Sequence, residues 1–123
     1  MLITQPKQCL AQITVWCTDN SLPENEENLA AIRKWWALLD GKTIVWEVFG
    51  ANIGSTIPII RESLVVKNPL IEDNLLCWRK QGLQNWNSIP VQHLVLDSSL
   101  QRLEIISSLQ SGFVSKYRIK VLG

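Results

Sequence analysis

Apolar residues recur with different periods along the chain, and each change of period predicts an element. In 29–39, Leu29, Ile32, Trp35, Trp36 and Leu39 return at helical spacing, while Arg33 and Lys34 fall off that stripe. Trp35 sits on the flank of the stripe. Gly41 suits the residue just past a helix end, because the left-handed conformation costs it no Cβ clash. Residues 43–49, TIVWEVF, are rich in β-branched and aromatic side chains and read as a strand. This helix–turn–strand unit is the segment around which the rest of the chain is organised.

Upstream, 9–17 alternate in part, with Ile13 and Val15 opposed to Gln12 and Thr14, which predicts a strand. Residues 18–28 are polar and acidic. They offer Ser21 or Asn25 as a cap, Pro23 in the first turn, and Glu24, Glu26 and Glu27 at the positive end of the coming helix. Downstream, 57–66 fit either a short helix or an edge strand, since Pro58 is poorly placed in a central strand.

Residues 68–82 read as a second helix. Asn68 is the cap, Pro69 the first helical position, Arg79 and Lys80 the basic last turn, and Gly82 the stop. Its stripe is Ile71, Leu75 and Trp78, which leaves Leu76 on the charged arc and exposed. Residues 83–90 read as a loop holding Trp86, and 91–96 as a short strand. Ser98 and Gln101 form a capping-box pattern before the apolar arc of Leu100, Leu103, Ile105, Ile106 and Leu109, with Gly112 ending a third helix. In 113–122, Phe113, Ser115, Tyr117, Ile119 and Val121 alternate with Lys116, Arg118 and Lys120, which predicts a strand with one basic face toward water.

These elements predict an α+β fold, a four-stranded mixed sheet with three or four helices mainly on one face. The alternative is a compact three-layer α/β sandwich. The 123 residues are expected to form a single globular domain, 1–123, with no internal repeat or linker.

Composition narrows the function classes. Net charge is +1, so bulk electrostatics favour neither nucleic acid nor a membrane surface. No apolar run approaches the ~20 residues of a membrane helix, and Gln5, Pro6 and Lys7 interrupt the apolar stretch a signal peptide would need. A cytoplasmic protein is expected. Cys9, Cys17 and Cys77 are odd in number and show no C-x-x-C spacing, which predicts reduced thiols rather than disulfides. With one histidine, His93, a zinc site lacks ligands, and no metal or cofactor is expected.

The phosphate-binding candidate is the loop Gly50, Ala51, Asn52, Ile53, Gly54, Ser55, Thr56, which follows a strand. Its glycines are one residue closer than a Walker A loop requires, and the lysine is missing. Gly50, Gly54, Ser55 and Thr56 are therefore weak phosphate-loop candidates beside the simpler reading of a glycine turn. Glu47 and Asp97, at strand positions, are carboxylates without a visible catalytic partner.

The unusual feature is six tryptophans against one tyrosine and two phenylalanines. Trp36, Trp46 and Trp78 take core positions, whereas Trp35 and Trp86 do not. Together with Leu76 they are the candidates for an interaction surface, because exposed tryptophan is enriched at binding hot spots. The expected function is a non-catalytic protein–protein interaction module, an adaptor or subunit that binds another protein or itself. Nucleic-acid binding through Lys116, Arg118 and Lys120 is the first alternative. A small enzyme with a site around the 50–56 loop is the second.

Overall fold

The computed structural model describes residues 12–16, 26–51, 54–108 and 114–122. The chain is mostly β. Strands β1 (Gln12–Trp16), β2 (Thr43–Gly50), β3 (Ile60–Glu72), β4 (Leu75–Lys80), β5 (Asn87–Pro90), β6 (His93–Asp97), β7 (Arg102–Ser108) and β8 (Val114–Val121) accompany one helix, α1 (Glu26–Ala37), among the described residues. The strands form one eight-stranded sheet in the order β1-β6-β7-β8-β2-β3-β4-β5. Every neighbouring pair is antiparallel.

This overturns the expected four-stranded mixed sheet with three or four helices, and the three-layer sandwich with it. The helix between β1 and β2 does not join neighbouring parallel strands, because three strands separate β1 from β2 in the sheet. The second and third expected helices are strands. Residues 68–80 form the end of β3, a two-residue turn at Asp73 and Asn74, and β4, with Glu72 opposite Leu75. Residues 102–108 form β7, paired to β6 and β8 on its two sides. The ambiguous 57–66 stretch supplies the start of β3, and part of the expected 83–90 loop forms β5.

Local chemistry accounts for these outcomes. Asn68 and Pro69 do not open a helix. Asn68 has φ 53°, and the β3–β4 register shifts between Lys67 and Leu70. That bulge leaves the proline where the ladder needs no N–H, and it switches the buried parity from Leu64 and Val66 to Ile71. Ser98 and Gln101 belong to a tight turn. There the Asp97 carboxylate accepts from the Ser99 and Leu100 N–H groups at 3.1 and 3.2 Å, and the Gln101 side-chain amide donates to the Ser98 carbonyl at 2.7 Å.

The helix behaves as its stripe predicts. Leu29, Ile32 and Trp36 are buried in one cluster with Leu39, and with Ile44 and Trp46 of β2. The same cluster takes in Leu64, Val66, Ile71, Leu76, Trp78, Leu94, Leu96, Leu103, Ile105 and Ile119 from the inner face of the sheet. Its centre is aromatic. Trp36 meets Trp78 edge-on at 6.4 Å between centroids, Trp46 lies 4.8 Å from Trp78, and Tyr117 stacks on Trp46 at 5.2 Å. The Trp36 indole N–H is shared between the Leu70 and Cys77 carbonyls, both at 3.2 Å.

Helix α1 touches both β1, at one edge of the sheet, and β3, across four intervening strands. Strand β5, at the other edge, comes back to touch β7. Residues 91 and 92 tie the two parts together: Val91 N–H donates to the Asn74 carbonyl at 2.7 Å and Gln92 N–H to that of Ile106 at 2.8 Å. The sheet is thus rolled around the helix and the aromatic centre. No helix of the described residues is long and apolar enough to cross a membrane.

Candidate interaction site

The last turn of α1, the turn into β2, the β6–β7 turn and the end of β8 meet at one end of the rolled sheet. Between them lies an open cleft of about 340 Å³, lined by Trp35, Leu38, Leu39, Lys42, Gln101 and Val121. Each wall has a local cause. Trp35 packs its ring against the core margin and donates its indole N–H to the Gln101 side-chain oxygen at 3.1 Å. Gln101 is presented there by a left-handed backbone, φ 50°. Its carbonyl accepts from Val121 N–H at 3.1 Å, which locks the β6–β7 turn to β8. Gly41, φ 81°, ends the helical segment and donates its N–H to the Val66 carbonyl at 2.8 Å, which brings Lys42 to the rim.

Exposed apolar side chains lie in the cleft wall and next to it along the chain. Leu38 is 63% exposed, and Leu100 and Leu122, each next in sequence to a lining residue, are 58% and 48% exposed. Leu38 and Leu122 carry no sequence signal for a surface role, and Leu100 falls on the apolar arc of the expected third helix. No local signal could have grouped them, because they come from three elements that only the fold brings together.

Of the sequence candidates, Trp35 is a wall of this cleft. Trp86 lies elsewhere, exposed in the loop before β5, with the Arg79 guanidinium 5.5 Å from its ring centroid and exposed Leu83 nearby in sequence. Leu76 is fully buried in the core, so its expected exposure is corrected. In a strand, the neighbour Leu75 takes the outward position instead.

The other sequence candidates serve the fold. Ser55 accepts from Ile57 N–H at 3.2 Å and donates to the Ile57 carbonyl at 3.0 Å, so its hydroxyl closes its own turn. Gly50 supplies a positive φ of 68° at the end of β2, while Gly54 and Thr56 are exposed. The loop leads into a strand, so the helix N-terminus that a phosphate loop uses does not follow it.

Lys116, Arg118 and Lys120 share one face of β8, as their spacing predicts, but that face is not left to water. Glu47, only 3% exposed, stands opposite Arg118 in the β2–β8 ladder. Its carboxylate accepts from Arg118 Nε at 2.8 Å, with Lys120 Nζ at 3.6 Å and Arg61 Nε at 3.8 Å. Lys116 pairs with Glu104 at 3.3 Å, and Phe49 lies under the cations of Lys116 and Arg118 at 4.9 and 4.8 Å. Burial pushes the Glu47 carboxyl up. The Arg118 hydrogen bond and the charges of Arg118, Lys120 and Arg61 more than offset it, so Glu47 titrates below its ordinary range. At neutral pH it is an anion held among three cations, which suits a structural counterion.

His93 is shifted down by burial alone. The Cys77 thiol is pushed up, first by burial and then by the charge of Glu72, which keeps it protonated and a poor nucleophile. Cys77 is a free thiol; Cys9 and Cys17 lie outside the described residues. Among the described residues no group of histidine, cysteine and carboxylate side chains is placed to hold a metal ion.

No protein family matches the chain, and no curated protein matches it. Among solved structures, the crystal structure of the Bacillus subtilis YojF protein is similar, with a TM-score of 0.51 over 74% of this chain and 87% of that one, at 11% sequence identity. At that identity the likeness is one of fold.

Proposed function

We propose that this protein is a non-catalytic interaction module that docks another protein, or a second copy, through the Trp35 cleft. The observation that carries the reading is Leu38, 63% exposed, beside Trp35 in the cleft wall, with exposed Leu100 and Leu122 next in sequence to two other wall residues. Large apolar side chains gathered round a concave site, beside an aromatic with a satisfied N–H, have the anatomy of a docking hot spot. Lys42 at the rim suits a partner that brings a carboxylate next to its apolar anchor. The odd cysteine count without C-x-x-C spacing fits a reducing, cytoplasmic setting.

The nucleic-acid reading loses support, because its three cations are already matched to Glu47 and Glu104. The enzyme reading loses support because Ser55 of the 50–56 loop spends its hydroxyl on its own turn and the loop leads into a strand. The test compares wild type with Leu38→Asp by light scattering and by affinity capture from the native host. The reading expects a self-associated species, or a captured partner, that Leu38→Asp abolishes while the unfolding midpoint stays unchanged. A monomer whose captured proteins are identical in the two forms would refute it.

A further inference from the structure

A second surface lies at the other end of β2, and its geometry differs from that of the cleft. Strand β3 pairs with β2 from Ile60 to Val65 but meets β4 only from Val66 onward. Along Ile60, Arg61, Glu62, Ser63 and Leu64, therefore, one side of β3 faces no other strand among the described residues. The direction of the backbone groups is fixed by the ladder. Val66 N–H donates to the Lys42 carbonyl at 3.0 Å, so in the same register Ile60, Glu62 and Leu64 turn their groups toward β2. Arg61, Ser63 and Val65 then turn theirs away, and the Val65 carbonyl is met there by Gln81 N–H at 3.0 Å. Among the described residues, the N–H and C=O groups of Arg61 and Ser63 form a short open edge.

The segment that leads into this edge is apolar and exposed. Ile57, Ile59 and Ile60 are 76%, 71% and 54% exposed in the segment that leads into it. On the inner face, Glu62 is held by Lys80 at 2.9 Å. On the outer face, Arg61 is 64% exposed and reaches Glu47 only at 3.8 Å, as the most distant of that carboxylate's three cations. Arg61 is thus the available charge beside the open groups. We propose that this edge is a β-augmentation site that accepts an extended segment of a partner protein, with an acidic residue opposite Arg61 and an apolar residue opposite Ile60. A second copy of this edge fits poorly. Antiparallel pairing about a two-fold axis centred on residue 61 or 62 sets Arg61 against Arg61 or Glu62 against Glu62.

The test is amide hydrogen exchange on the full chain, with two short acetylated and amidated peptides as probes, one alternating valine with glutamate and the other valine with lysine. In the free protein the Arg61 and Ser63 amides should exchange fast, while those of Glu62 and Leu64 are protected. The glutamate peptide should slow Arg61 and Ser63 by about tenfold or more and bind at least about fivefold more tightly than the lysine peptide. Arg61→Glu should invert that preference. Ser63→Pro removes an N–H that β2 does not use, so it should keep the fold and lose the slowing; if it fails to fold, the Arg61→Glu inversion decides. Four outcomes would overturn the proposal. They are no slowing at millimolar peptide, equal affinity for the two peptides, slowing that survives in folded Ser63→Pro, and Arg61 and Ser63 amides already protected in the free chain. The last would mean that a second copy or the chain itself fills the edge.

Discussion

Glu47 shows how one residue sets the character of a whole sheet face. It sits on the central strand β2, with Arg118 across one ladder and Arg61 across the other. Burying a carboxylate there is tolerable only because those cations, with Lys120, surround it. Glu47→Gln keeps the shape and removes the charge, leaving Arg118 half-buried without its counterion. Unfolding by urea should show a loss of about 3 kcal/mol, the lower end for breaking a buried pair, since Arg118 keeps some access to water. The same residue makes stability depend on pH. Its folded pKa lies below the ordinary 4.5, so its contribution is complete above that value and is lost as pH falls through the folded pKa. His93 acts in the same direction at higher pH. Burial lowers its pKa from 6.5, so below that pH protons bind the unfolded chain more readily and stability falls. Unfolding free energy measured from pH 7 downward should therefore decline in two stages, and Glu47→Gln should flatten only the lower one.

Among the elements, α1 carries the most packing on a single side chain, since Trp36 is fully buried and its N–H bridges two carbonyls of the β3–β4 hairpin. Trp36→Ala should cost about 3–5 kcal/mol by thermal or chemical unfolding. Gly41→Ala, with open space around the new methyl group but φ 81°, should cost about 1 kcal/mol through the backbone alone. The helix and β8 were legible in the sequence because each holds one period along its length, and β2 because it is rich in β-branched and aromatic residues. Residues 68–80 misled because two patterns coincide there. Ile71, Leu75 and Trp78 fit a helical stripe, while Ile71, Leu76 and Trp78 fit two strands joined at Asp73 and Asn74. Acidic residues early and basic ones late suit a helix, yet Arg79 here serves the Asn68 side chain. The bulge at Asn68 hid the alternation that would have decided, since it shifts the buried parity in mid-strand. In 98–108 the alternation Leu103, Ile105, Ser107 was hidden by a buried serine, and the Ser98/Gln101 capping pattern serves a turn equally well.

At the scale of the whole molecule, the rolled sheet gathers residues that the sequence keeps far apart, and this decides which surfaces are available. Trp35 was visible as a tryptophan on the flank of its stripe, but Leu38, Leu100 and Leu122 acquire meaning only when α1, the β6–β7 turn and β8 converge. The basic ladder of β8 shows the reverse case. Its spacing is correct, yet the roles of Lys116, Arg118 and Lys120 are set by carboxylates on β7 and β2 that a one-strand reading does not include. Tracking an extended phosphate backbone needs cations whose release of counterions drives binding. Here the ladder is 15%, 16% and 37% exposed at the side chains and each cation is already engaged by Glu104 or Glu47. A mixed-sequence single-stranded oligonucleotide should therefore show no anisotropy change with the wild-type protein at physiological salt. Glu47→Gln should release Arg118 and Lys120 and produce weak binding that fades as salt is raised. Tight, steeply salt-dependent binding by the wild type would show that the ladder reaches phosphate despite its partners, and would replace the interaction-module reading with a nucleic-acid one.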